Sequence, residues 1–156
     1  LETGHLTLAE SILTGPSNQE FLISTYCCHP WMANDNLSGI VVSTFLHRWL
    51  TQNEHRHSYR FLMLPETIGA ITYLAHNESA MKNIDGGFVV SCCGGPGRIS
   101  YKDTYLGNHL IDRAAKIAKT AYKNGTTLKE EVIKSGLINA KEYDKIMSPI
   151  KMTKPK

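Results

Sequence analysis

Apolar runs of strand length alternate with amphipathic runs of helix length through the first part of the chain, and this order restricts the fold more than any other feature. "FLISTYCC" (21–28), "YRFLML" (59–64) and "GGFVVSCC" (86–93) read as buried strands, whereas "LSGIVVSTFLHRWL" (37–50) and "IGAITYLAHN" (68–77) carry helical periodicity. Strand, helix, strand, helix, strand predicts a parallel or mostly parallel sheet covered by helices. Right-handed crossovers then bring the strand C-termini to one edge. His29, Glu66 and the "GGPG" turn each follow one of these strands, so they are expected on that edge.

The remainder of the chain has a different character. Residues 1–112 hold 6 Lys and Arg against 10 Asp and Glu, whereas residues 113–156 hold 11 against 4, and all seven His and four Cys precede residue 110. "LIDRAAKIAKTAYK" (110–123) is amphipathic, with Gly125 placed for a left-handed C-cap. "TLKE" (127–130) reads as a capping box opening a helix that Gly136 stops, and "NAKE" (139–142) opens another that ends near Pro149. The expected fold is therefore α/β: a partial, mostly parallel sheet with covering helices, followed by a small all-helical C-terminal segment. The expected domains are 1–108 and 109–156.

Composition narrows the functional classes. At 156 residues and 42% hydrophobic, the chain can build one ordinary core, and no apolar run approaches the roughly 18 residues that cross a bilayer. The lysines of the tail are spread among apolar residues at helical spacing, the pattern of a solvated helix face, so no nucleic-acid or membrane partner is expected. Cys27-Cys28 and Cys92-Cys93 lie inside apparent strands, where neighbours point to opposite faces and cannot easily chelate one metal. They read as reduced, small buried residues in a cytoplasmic protein.

The residues with metal chemistry follow the strands. His29 and Asp35 in "HPWMANDNLSG" offer an imidazole and a carboxylate, both ligand types for zinc, and a bridging carboxylate can hold two metals roughly 3.5–4 Å apart. Asp35 or Asn36 equally suits the cap of the following helix. Glu66 in "LPETIGAI" could act as a general base or a ligand, or simply favour a helix N-terminus. His55 and His57 in "EHRH" read as an exposed polar connection. "GGPGR" lacks the Lys and Ser or Thr of a phosphate loop, and Ser38 lacks the flanking glycines of an esterase elbow.

"HPWMANDNLSG", "RFLMLPETIGAITYL" and "VVSCCGGPGRISYKDTYLGNHLIDRA" together resemble the aminopeptidase-like members of the two-zinc exopeptidase family, over roughly residues 1–113. The resemblance implies zinc, with His29 as a ligand, Asp35 as the bridging carboxylate and Glu66 as base or ligand, acting on a peptide or amide substrate. It also implies an incomplete site. Thr67 stands where a second acid is expected, no acid follows the third strand until Asp103, and the last His is His109. Residues 113–156 resemble the small C-terminal helical domain of class II fumarases and aspartases, without the Ser-rich "GSS" loop of those lyases. The chain thus looks like a mosaic: a truncated zinc-aminopeptidase-like domain with at most weak metal-dependent hydrolysis. The alternatives are a non-catalytic folding or interaction module, or a fumarase-related fragment. An unpaired sheet edge would favour a homo-oligomer.

Overall fold

The computed structural model describes residues 4–97 and 100–146. Its elements run β1 (Ala9–Leu13), β2 (Ser17–Cys27), α1 (Leu37–Gln52), β3 (His57–Pro65), α2 (Ile68–His76), α3 (Glu78–Met81), β4 (Ile84–Val89), α4 (Leu110–Asn124), α5 (Leu128–Lys134) and α6 (Ala140–Ile146). The fold is mixed α/β with small helices at the C-terminal end, as the alternation of runs predicted. Contacts divide the chain into two compact units, residues 1–99 and 100–156. The composition change had suggested a boundary at 108/109.

The first unit is a four-stranded sheet of order β1-β3-β2-β4, with β2 parallel to both β3 and β4 and β1 antiparallel at one edge. The central strands read as continuous apolar runs because helices cover both faces. Ile23 of β2 and Phe61 of β3 pack with Leu50 of α1, while Leu62 and Leu64 pack on the other face with Tyr73 of α2. Each such side chain, once buried, contributes about 1.5–3 kcal/mol.

Two elements differ from the sequence expectation. β1, "AESIL", is too short and too polar to announce itself; it is held by pairing with β3 and by Glu10, whose carboxylate reaches Arg60. β4 covers Ile84–Val89 rather than 86–93; beyond it one last backbone bond, from the Val90 amide to the Ser24 carbonyl (2.8 Å), gives way to bonds with side chains. Thr25 Oγ1 donates to the Val90 carbonyl (2.9 Å), and the Cys92 amide donates to Asn36 Oδ1 (3.1 Å).

Arg60 is the one charged residue of the central run. It is 6% exposed, and its guanidinium makes two bonds to Glu20 (2.6 and 3.0 Å) and others to Glu10 and the Tyr73 hydroxyl. The Glu20 carboxylate, foremost, raises its pKa further and keeps it charged. Those partners offset the several kcal/mol that burying a bare charge would cost.

The second unit follows its capping signals. At α5, Thr127 Oγ1 accepts from the Glu130 amide and Glu130 accepts from the Thr127 amide (3.2 and 2.9 Å). Asn139 and Glu142 make the same reciprocal pair at the start of α6. Gly125 and Gly136 stand at φ 64° and 71°, the left-handed region in which glycine is favoured. The stop expected near Pro149 lies outside the described residues. In the first turn of α4, the Asp112 carboxylate is fully buried and accepts from the Tyr101 hydroxyl, the Thr104 hydroxyl and amide, and the His109 amide. The Thr104 hydroxyl, with the other donors, holds its pKa far below the usual carboxylate range despite burial.

Candidate site at the strand ends

β2, β3 and β4 run parallel, so their C-terminal ends share one edge, and the loop 28–36 returns across it. Two asparagines fix that loop. Asn36 is 0% exposed; its Nδ2 donates to Thr25 Oγ1 (2.8 Å) and to the Tyr26 carbonyl (3.0 Å), while its Oδ1 receives the Cys92 amide. Asn34 Oδ1 accepts from the Gly94 amide (2.7 Å) and from Ser38 Oγ (3.1 Å). Gly39 then lets the first turn of α1 come down onto this clamp. A Cβ there would meet Asn36 Oδ1 and the Val90 carbonyl, with Thr25 Oγ1 at 2.8 Å. The Asp35–Asn36 peptide is cis.

Asp35, between the two anchors, is thereby held at the edge. Its Oδ1 accepts from the Tyr26 hydroxyl (2.8 Å), which also lies 2.8 Å from Ser91 Oγ. The Ser91 contact lowers the Tyr26 pKa, but the Asp35 carboxylate and burial outweigh it and push the phenol up to about 12, so Tyr26 stays a proton donor. Glu66 follows β3, and its Oε2 accepts from the Cys28 thiol (3.0 Å). The Glu66 carboxylate, with desolvation and Asp35, pushes that thiol's pKa up. His29 is exposed, two residues beyond β2.

The structure therefore puts His29 and Glu66 just beyond the ends of the adjacent parallel strands β2 and β3, and Asp35 in the loop that follows β2, bonded to Tyr26 of that strand. Among the described residues, however, no three His, Cys, Asp or Glu side chains are gathered closely enough to hold a metal ion. The donors are chemically suited to zinc but do not make the full set of a two-zinc centre.

Several expectations are corrected. Asn36 occupies the N-cap position of α1 without a side-chain cap bond, because its amide is spent on the strand ends. The cysteines are not buried: Cys27, Cys28 and Cys92 are exposed and Cys93 half-buried, since β2 ends at Cys27 and β4 at Val89. His55 and His57 are half-buried rather than exposed, with ring contacts to Tyr59 and Phe21. His109 accepts from the Ile111 amide (3.4 Å) and opens α4. Tyr26 and Ser91 went unnoticed in the sequence, Cys28 was read only as a small buried residue and Asn36 only as a helix cap; the position of "TYCC" at a strand end was the one hint at Tyr26.

Residues 1–135 match the model of a family described as a domain of unknown function, DUF4910. A Clostridium acetobutylicum protein named "Putative polysaccharide biosynthesis protein with aminopeptidase-like domain" is 47% identical over 113 residues, which are 72% of this chain and 26% of the relative. A crystal structure of a "putative peptidase" from the same organism aligns with a TM-score of 0.69 at 44% identity, covering 70% of this chain and 26% of that one. The chain thus spans about a quarter of the length of these relatives. Similarity to class II fumarate hydratases is confined to short segments: that of Bradyrhizobium diazoefficiens is 59% identical over 44 residues, 28% of this chain and 9% of the enzyme.

Proposed function

The chain belongs to the DUF4910 family, and from that premise we propose that its first unit is an aminopeptidase-like domain with at most weak metal-dependent hydrolysis of a peptide or amide. The observation that carries this reading is the placement of Glu66 just beyond β3 and of Asp35 against Tyr26 near the end of the adjacent parallel strand β2, in a chain 47% identical over 113 residues to a protein named for an aminopeptidase-like domain. His29 and Asp35 are the donors that zinc would use, and Glu66 is a ligand or a base. Zinc, when bound, would polarise a carbonyl and acidify water. Tyr26 holds one oxygen of Asp35, and Cys28 holds one oxygen of Glu66. With so few donors, affinity should fall well below that of a complete site.

A second reading, a non-catalytic module, is favoured by those same two bonds, which satisfy the carboxylates without a metal. A lyase function has only the short fumarase-like segment behind it, and the chain contains no "GSS" loop. No helix among the described residues is long and apolar enough to cross a membrane. Four free thiols suit a reducing compartment such as the cytoplasm.

Calorimetric zinc titration of the wild type beside His29→Ala and Asp35→Ala tests the proposal, with turnover of an aminoacyl amide measured in parallel. Weak binding lost in both variants is expected. Equal binding by all three proteins would remove the metal role and leave the non-catalytic reading.

A further inference from the structure

Backbone strain in the first unit sits at the strand-end edge, and its sharpest point adjoins Glu66. Among the described residues, Thr67 and Cys92 alone take positive φ without being glycine (57° and 54°), one beyond β3 and the other beyond β4. Thr67, at φ 57° and ψ −68°, lies near the strained form of the γ-turn, at about +75° and −65°. The Ile68 amide closes that turn on the Glu66 carbonyl (2.6 Å). For a β-branched side chain this is an outlier, and such a residue persists only where its surroundings over-determine it. Here both flanks are anchored. Leu64 is buried against Tyr73 of α2, and Gly69 brings the helix onto the strand so closely that a Cβ there would lie 2.8 Å from both Leu64 Cβ and Pro65 Cδ. The Thr67 carbonyl already accepts from the Ile71 amide of α2 (3.0 Å), so the chain passes from strand to helix through this one residue.

We propose that Thr67 is a positioning residue, whose strained turn keeps Glu66 out of α2 and presents its carboxylate at the strand-end edge. This rests on the reading of Glu66 as base or ligand. In the right-handed region Thr67 would extend α2 backward and draw Glu66 into its first turn, where a helix N-terminus stabilises an acid and proline suits the leading position. The observed first turn contains no acid. Glu66 instead keeps the strand register: Cys27 is opposite Pro65, so Cys28 and Glu66 are the next opposed residues, and the thiol donates to Glu66 Oε2 (3.0 Å). The role belongs to the backbone, so it requires the turn and not the Thr67 hydroxyl. Glycine adopts the same turn without strain but adopts others as readily. At position 67 it would therefore free Glu66 between the two anchors.

Infrared spectroscopy of the full chain tests this without metal, so it decides the placement of Glu66 whether or not zinc titration upholds the metal role. The Cys28 S–H stretching band, assigned by difference against Cys28→Ser, falls in frequency when the thiol donates to a carboxylate. Thr67→Gly should lose that shift while its denaturant midpoint stays at or above wild type, because relief of strain offsets the entropy that glycine adds to the unfolded chain. Thr67→Val, with the same branching and no hydroxyl, should keep the shift. A shift unchanged in Thr67→Gly would overturn the proposal, as would its absence from the wild type. So would its loss in Thr67→Val, or its loss in Thr67→Gly together with a lower midpoint, the mark of a turn that only stabilises the fold.

Discussion

Gly39 shows how closely the site depends on atoms that carry no chemistry. Its missing side chain lets α1 seat on Asn36, and Asn36 in turn fixes the backbone from which Asp35 projects. Gly39→Ala should cost about 1–3 kcal/mol through overpacking, seen as a lower denaturant midpoint at unchanged slope. An unchanged midpoint would mean that the loop gives way freely. His29, Asp35 and Glu66 were legible as candidates because they follow apolar runs, and strand ends collect chemistry. Asn36 was legible only as a helix cap, since a sequence names the nearest backbone partner and not the two strand ends that the fold delivers to the same amide. The Cys28 and Tyr26 contacts depend on which way residues turn once a strand stops, and apolar patterning carries no record of that.

β2, β3, α1 and α2 were all legible, because two-sided burial writes long apolar runs and helical spacing is periodic. β1 was not: it is an edge strand whose place is fixed by pairing partners far along the chain. α4 was read from its amphipathic face and its Gly125 cap, whereas α5 and α6 were read from their termini, and the reciprocal bonds at Thr127 and Glu130 show why that works. Thr127→Ala should therefore cost about 1 kcal/mol, measured as a lower thermal midpoint of the helical signal. If Thr127→Ala melts with the wild type, the cap bond contributes nothing and α5 is held by packing alone. Among the described residues of the tail, Lys116, Lys119, Lys123, Lys134, Lys141 and Lys145 lie on exposed helix faces, and Lys129 is half-buried.

The molecule joins two units that differ in charge and should differ in their response to acid. Asp112 has a folded pKa below its unfolded value, so its contribution is fully present above about pH 4 and is lost as pH falls through lower values. Asp112→Asn should be less stable than the wild type at neutral pH and lose less on acidification below about pH 4. Thermal melts across that range check this, and parallel curves would refute it. In the first unit, Arg60 binds carboxylates from both β1 and β2 while standing opposite Ile12 and Leu22. A slip of β3 by one residue would turn the guanidinium to the face of Ile23, Leu50 and Phe61, away from both carboxylates. Misaligned sheets would thus trap an unpaired cation at a cost of several kcal/mol. One side chain acts as a checksum on the alignment of three strands, rejecting wrong assemblies as the sheet closes.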